Sequence, residues 1–388
     1  MRKMLLVVII LITLTGCYNY RELNDLAIVS AISISKVNEE YSVVVQVVKP
    51  KKEQDTSNIN QPNFITFKSK GESLQEAFRL LIKESPKKIY GAQMQVLLLD
   101  ESVAKDDLSD VLDFFAREPE VRNEFYVLVS KNDNVLEVLT PLDNISSQNI
   151  MESLEANSKF LGYANLITFN DLLSYYQNER IQIALPSIHL TGNIDEGDKD
   201  ENIDESMVDT SVVLGPLAIF KGNKLIGYLS EEESLAYNIV MDNITNALIT
   251  NKYDDDKYIV SELIKSKTDL EVDSKNNKIN ITVKGNAAIK EVNYNNINLK
   301  YENNVKKIED DLNKKIEKLV KNSIKNITKK YNSDIFGFEN LFYKEDYQYY
   351  KKIKDEWSDK IFQNLKIEVD SKFEIVEQGN VLGGIKDE

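Results

Sequence analysis

The sequence predicts a multi-domain protein of mixed α and β structure: an N-terminal mixed α/β lobe, then a C-terminal lobe of antiparallel sheet packed by long helices. Three patterns carry this expectation. Up to about residue 195, short apolar runs of strand character alternate with amphipathic helical stretches, as in an α/β layer. Tyr258 to Val272 and Lys278 to Val292 read as two long strands around the polar turn Ser274–Asn277. Residues 302–331 form the strongest helical signal, with Val305, Ile308, Leu312, Ile316, Leu319, Ser323 and Ile327 recurring at steps of three and four. A chain of 388 residues with 42 % apolar residues has room for two or three domains with real cores. The expected division is a leader over 1–16, an N-terminal lobe over 17–195 and an acidic linker over 196–206. A hairpin-plus-helix region over 207–252, a sheet-and-long-helix domain over 253–380 and a tail over 381–388 follow.

The leader comes first. Arg2 and Lys3 precede an apolar run from Met4 to Leu14, broken only by Thr13, and Leu14-Thr15-Gly16-Cys17 closes it. A positive start, a short apolar run and small residues at the cut describe a secretory signal peptide. The run is about eleven residues, short of the ~20 needed to span a bilayer. The residue after the cut is the only cysteine of the chain. The tetrapeptide resembles a bacterial lipobox, in which that thiol accepts a diacylglycerol; N-acylation of the same residue is also open. A thiolate is a strong side-chain nucleophile near neutral pH, which suits the transfer.

In the N-terminal lobe, Leu26 to Ser35 and Tyr41 to Val48 read as strands about Asn38-Glu39, and Lys49 to Pro62 as a loop. Ser73-Leu-Gln-Glu76 is a capping-box pattern before Ala77, Phe78, Leu81 and Ile82, and Pro86 ends that helix. Gln95 to Leu99 and Phe125 to Ser130 are continuous apolar runs, the mark of strands covered on both faces. Between them Leu108, Val111, Leu112 and Phe115 make an amphipathic helix, and helical stretches follow near 147–160 and 170–178. Beyond the linker, Val212 to Phe220 and Leu225 to Leu229 flank Lys221-Gly222-Asn223-Lys224, a hairpin signal. Ser230 then caps a helix whose first turn carries Glu231, Glu232 and Glu233, where negative charge suits the N-terminus. The 302–331 stripe either lies on the adjacent sheet or forms an intermolecular coiled coil, with the first the simpler account. Asp346 to Leu365 reads as a further helix carrying Tyr350, Ile353, Trp357 and Phe362, and Leu365 to Ile375 as closing strands.

Composition excludes several functions. With 63 acids against 48 bases the net charge is −15, which disfavours nucleic acid and leaves anionic membrane surfaces repelled by the body. Any membrane attachment then falls to the lipid. The single histidine, His189, has no second histidine or free cysteine to build a zinc site with. No Gly-x-Ser-x-Gly elbow, phosphate-binding loop or dinucleotide fingerprint occurs. The linker aspartates Asp195, Asp198, Asp200 and Asp204 lack the glycine an EF-hand needs at its sixth position. No catalytic residue, metal site or cofactor is expected.

Three stretches then carry a family resemblance. Gly16-Cys17-Tyr18-Asn19-Tyr20-Arg21-Glu22-Leu23-Asn24-Asp25-Leu26-Ala27-Ile28-Val29 resembles the opening of the Ger(x)C lipoproteins, which usually show tryptophan and aspartate where Tyr18 and Asn19 stand. The stretch from Gly215 through Phe220 to Gly227 resembles the family's hairpin. Asp334-Ile-Phe336-Gly337-Phe338, with Trp357 downstream, resembles the segment after its long C-terminal helix, although Glu339 stands where a further glycine is common. The resemblance runs from residue 1 to about 380 in the same order.

It implies a non-enzymatic C subunit of a nutrient germinant receptor, anchored through Cys17 on the outer face of the spore inner membrane beside integral membrane A- and B-type subunits. Direct binding of a small molecule stays open. Asn24 and Asp25, close behind the lipid, are candidates for a partner interface. Gly215, Phe220, Gly227, Asp334, Phe336, Gly337 and Trp357 are expected to serve structure, the glycines through backbone geometry. Two rivals remain: a solute-binding lipoprotein feeding a transporter, which calls for matched lobes around a cleft, and an envelope-anchored enzyme, which calls for clustered perturbed carboxylates in a deep pocket.

Overall fold

A computed structural model of the chain describes residue 22 and residues 25–49, 64–131, 147–192, 210–294 and 297–379. Cys17, Asn24, the linker 196–206 and the tail 381–388 lie outside the described residues. β1 (Leu26–Val37) and β2 (Glu40–Val48) pair antiparallel through Asn38 and Glu39, whose φ angles are 52° and 66°. Two consecutive left-handed residues make the tight hairpin turn whose twist suits the flanking strands. β3 (Phe64–Gly71), β4 (Lys88–Tyr90), β5 (Val96–Asp100), β6 (Tyr126–Ser130), β7 (Ala184–Gly192), β8 (Thr210–Lys221) and β9 (Lys224–Tyr228) follow. All nine join one sheet in the order β3-β2-β1-β5-β6-β7-β8-β9, with β4 beside the start of β1.

Its centre is parallel (β1, β5, β6, β7) and its flanks are antiparallel hairpins. Parallel strands must be covered on both faces, and every residue of β5 is buried. Successive side chains point to opposite faces. Val43, Val45, Leu97 and Leu99 pack beneath the helices Leu74–Leu80, Glu101–Asp106, Ser109–Arg117 and Phe169–Gln177. Val44, Val96 and Leu98 meet the helix Ser147–Phe160 through Ile150 and Leu154. Side-chain caps start three of these helices: Ser73 accepts from the Glu76 N–H and Asp100 from the Ser102 N–H, while Thr168 and Asp171 form a reciprocal capping box.

The second sheet has the order β10-β11-β12-β13, from β10 (Asn246–Asp254), β11 (Lys257–Asp273), β12 (Lys278–Asn293) and β13 (Lys366–Glu377). It is antiparallel except for β13, which runs parallel to β12. The reason lies between them: the helix Glu302–Tyr331 carries the chain back, ~45 Å over its 30 residues. Parallel neighbours require such a crossover. The helix also covers the outer edge of β13. The N–H groups of Ser371, Phe373 and Ile375 donate to Glu317, Asn313 and Glu309 at 3.2, 2.8 and 2.9 Å. Four helical residues rise ~6 Å and two strand residues ~6.6 Å, so the two ladders stay in step. An edge satisfied in this way offers no template for another strand.

The long helix spends its apolar stripe inside the molecule. Leu312, Ile316, Val320, Ile324 and Ile327 lie in a core shared with the second sheet and the helix Glu231–Val240, which Ser230 and Glu233 cap reciprocally. Val320 and Ile324 are buried, whereas Leu319 is only half-buried. The expected single helix over 346–365 is instead a chain of short pieces: a helix over Tyr347–Ile353, a 3₁₀ turn, a π turn over Trp357–Ile361 and another 3₁₀ turn. Five residues on an α-helix would set Trp357 and Phe362 140° apart. The wider turn, closed by the Phe362 N–H to the Trp357 carbonyl, puts both in the core. The region 207–252 is divided between the layers. Its hairpin completes the first sheet and its helix enters the second core, where Ala184, Leu217 and Ile219 of the first sheet also lie.

Candidate functional site

The residues singled out in the hairpin and after the long helix meet at the seam between the two sheets. Three strips of chain form it: Ile181–Ile183 entering β7, the β8–β9 hairpin, and residues 331–339. Asn332, at φ 46°, ends the long helix in the left-handed conformation typical of a helix stop. Ser333 Oγ then donates to the Phe220 carbonyl at 2.5 Å, and the Gln182 N–H donates to the Asp334 carbonyl at 2.9 Å. The hairpin tip is held as well, since the Gly222 N–H donates to Gln182 Oε1 at 2.6 Å.

Asp334 is the polar centre of the seam. Its carboxylate accepts from the N–H groups of Phe338 and Glu339 at 3.0 and 2.8 Å, so it caps the helix Phe338–Glu345. The residue at the helix start, Gly337, has φ 68° and no side chain to do so. A Cβ there would also stand 2.9 Å from Ile181. Burial pushes the Asp334 carboxyl up to about 7 despite those N–H donors, and the nearby Glu339 charge adds to the rise. Glu339 is itself raised by burial, opposed by a hydrogen bond from Tyr350 at 3.1 Å and by the Arg180 charge. The Arg180 guanidinium stacks over the Tyr343 ring at 4.0 Å.

Gly227 lies under Tyr331. The Tyr331 hydroxyl donates to the Tyr228 carbonyl at 2.6 Å, and a Cβ on Gly227 would sit 2.6 Å from the ring. Gly227→Ala is expected to cost about 2 kcal/mol, from a displaced half-buried ring and its lost hydrogen bond. In a Tyr331→Ala background the same change should cost under ~0.5 kcal/mol, because the three nearest atoms all belong to that ring. Urea unfolding of the four chains measures the coupling; equal costs in both backgrounds would remove the contact from the account.

The other signature side chains pack outside the seam's hydrogen-bond network, or further off. Phe220 is fully buried in the first core, and Phe336 stacks on Phe338 at 5.2 Å. Trp357 joins through Phe342, 5.5 Å away. Gly215 sits further along β8, where a Cβ would meet Ser187 Oγ at 2.5 Å and His189. Asp25 is exposed just ahead of β1. Gln182, Ser333 and Tyr331, which tie the seam, carry no pattern that sequence reading could use. Arg180, Tyr343 and Tyr347 at its rim are equally unmarked.

The seam is a set of helix caps and close backbone approaches. Among the described residues no group of three or more His, Cys, Asp or Glu is placed to hold a metal ion. Among them, too, no helix is long and apolar enough to cross a membrane. A cleft of about 560 Å³ lies elsewhere, beneath Phe78, Ile82 and Val121, beside the Lys88–Glu120 ion pair.

Comparison with known proteins gives matches along nearly the whole chain. Residues 19–190 match the profile of the spore germination protein N-terminal domain, and residues 216–379 that of the spore germination B3/GerAC-like C-terminal domain. Spore germination protein KC of Bacillus subtilis (strain 168) is 28 % identical over 95 % of this chain and 94 % of its own. Spore germination protein B3 of the same organism is 25 % identical over 96 % of each, and spore germination protein GerQC of Bacillus cereus 21 % over 88 % and 90 %. The crystal structure of the GerBC protein shares the fold, with a TM-score of 0.58 at 20 % identity over 89 % of this chain and 96 % of that one.

Proposed function

The chain belongs to the Ger(x)C family of spore germination proteins, and from that membership we propose that it is the lipid-anchored, non-enzymatic subunit of a germinant receptor complex. It stands on the extracytoplasmic face of the spore inner membrane, tethered through Cys17, and works by contact with integral membrane subunits of the A and B types. The observation that carries this reading is the ordered match over 19–190 and 216–379, which begins directly behind the lipobox cysteine. Asn24 and exposed Asp25, within eight residues of that cysteine, are the proposed partner-facing positions.

A structural use of the signature residues supports a non-enzymatic role. The one carboxylate among them with a strong upward shift, Asp334, is enclosed and occupied in capping a helix. The solute-binding rival is disfavoured, because a nine-stranded and a four-stranded sheet are not matched lobes.

Deleting the gene is expected to slow or abolish germination with at least one nutrient while spores still form. Purification of the lipidated chain from spore membranes should bring two integral membrane subunits with it. Normal responses to every nutrient, together with recovery of a transporter permease instead, would overturn the proposal.

A further inference from the structure

The second lobe holds a cleft that the receptor reading does not use. It lies between the C-terminal half of the long helix and the 3₁₀ turn Phe362–Asn364, with a volume of about 240 Å³. Ile324, Phe338 and Phe362 give it an apolar floor, and all three side chains are buried. Lys321, Lys325 and Lys329 stand along its rim, four residues apart and therefore on one face of the helix. Among the described residues no carboxylate lines it.

The charge here runs against the rest of the chain. The net charge is −15, yet between Lys314 and Tyr331 the only acid is Glu317, and its carboxylate is turned to the Ser371 N–H. The three rim lysines are exposed, and none forms an ion pair with a described residue. Elsewhere on the same helix Lys306 is paired with both Glu309 and Asp310. Unpaired cations beside an apolar hollow favour a ligand that brings both a negative charge and an apolar body.

We propose that this cleft binds a small amphipathic anion free in solution, a carboxylate or phosphate monoester with a short apolar tail. Lys321, Lys325 and Lys329 hold the charged head, and Ile324, Phe338 and Phe362 take the tail. Concavity separates this ligand from a bilayer, which would call for a flat or convex cationic surface. A volume near eight water molecules limits the ligand to a few carbons beyond its head. The inference goes beyond the receptor reading and does not depend on the lipid anchor.

The chain carries its own reporter. Trp357, the single tryptophan, is buried and stacks on Phe362 with ring centroids 6.2 Å apart. The full-length chain in neutral phosphatidylcholine vesicles is titrated with hexyl phosphate while Trp357 emission is recorded. A saturable change is expected. The exposed-lysine variant Lys321→Gln, Lys325→Gln, Lys329→Gln should weaken it at least about tenfold, since each partly solvated contact is worth a factor of about two to five. The corresponding triple arginine variant should stay within about threefold of the parent. Inorganic phosphate, having no tail, should bind at least about tenfold more weakly than the hexyl ester. Absence of a saturable change overturns the proposal, as does equal binding by the glutamine variant or equal binding of inorganic phosphate. A lysine-dependent response to phosphatidylglycerol vesicles with none to hexyl phosphate also overturns it, by assigning the lysines to a membrane surface.

Discussion

Replacing Cys17 with alanine is expected to abolish incorporation of labelled palmitate and to shift the chain from the membrane pellet to the supernatant, with its unfolding curve unchanged. A single acyl chain of ordinary length gives only marginal, reversible attachment; a diacylglycerol supplies two, each worth ~0.8 kcal/mol per buried methylene. Nothing else among the described residues offers comparable attachment. The body carries a net charge of −15, and no helix among the described residues is long and apolar enough to cross a bilayer. An uncut leader of about eleven apolar residues is too short to span one. The unfolding curve should hold because the described sheet begins at Leu26, nine residues after Cys17. Full retention of the alanine variant after a high-salt wash, with palmitate still incorporated, would place the anchor elsewhere.

Local signals were legible in the sequence, and long-range ones were not. The Ser230 cap with its acidic first turn, the Asn38-Glu39 turn and the apolar runs at 95–99 and 125–130 each place their chemistry within a few residues. β7 gave no such signal, because Pro186, Ser187 and His189 interrupt its apolar pattern. It is held as a strand by β6 and β8 on either side. β10 is equally polar and is held by β11. The direction of β13 was readable in principle, as strand, long helix, strand is the pattern of a parallel crossover. The break at Trp357 was not, since regular helical spacing assigns Trp357 and Phe362 to different faces and only packing rewards the π turn. The seam depends on contacts across about a hundred residues, such as Tyr331 to Tyr228 and Ser333 to Phe220, and no local pattern encodes them. Its glycines were noticeable as residues, but what each makes room for became visible only in three dimensions.

The largest expected effect within the folded body is a pH dependence of stability centred on Asp334. Its ordinary value is 3.8, and burial raises the folded-state value to about 7. Between those two values the unfolded chain has released the proton while the folded chain still holds it. The folded state therefore binds more protons, and stability falls as pH rises through that window. The contribution is complete below the unfolded value and lost once pH passes the folded one. At ~1.4 kcal/mol per pH unit, it amounts to about 3 kcal/mol between pH 5 and pH 8. Asp334→Asn removes the titration and introduces a constant defect. Its carbonyl oxygen can still accept from the Phe338 N–H, but its NH₂ group faces the Glu339 N–H, at about 1–3 kcal/mol. At pH 5 the asparagine variant should therefore be clearly the weaker chain in urea. By pH 8 the gap should close or reverse, because the parent then carries a buried anion and the variant does not. Glu339 and Arg180 remain in both chains, so the difference between the two curves reports Asp334 together with its coupling to Glu339. Parallel curves from pH 5 to pH 8 would mean that the N–H donors of Phe338 and Glu339 hold the carboxylate ionised in the fold. The seam between the two sheets would then owe nothing to a buried proton.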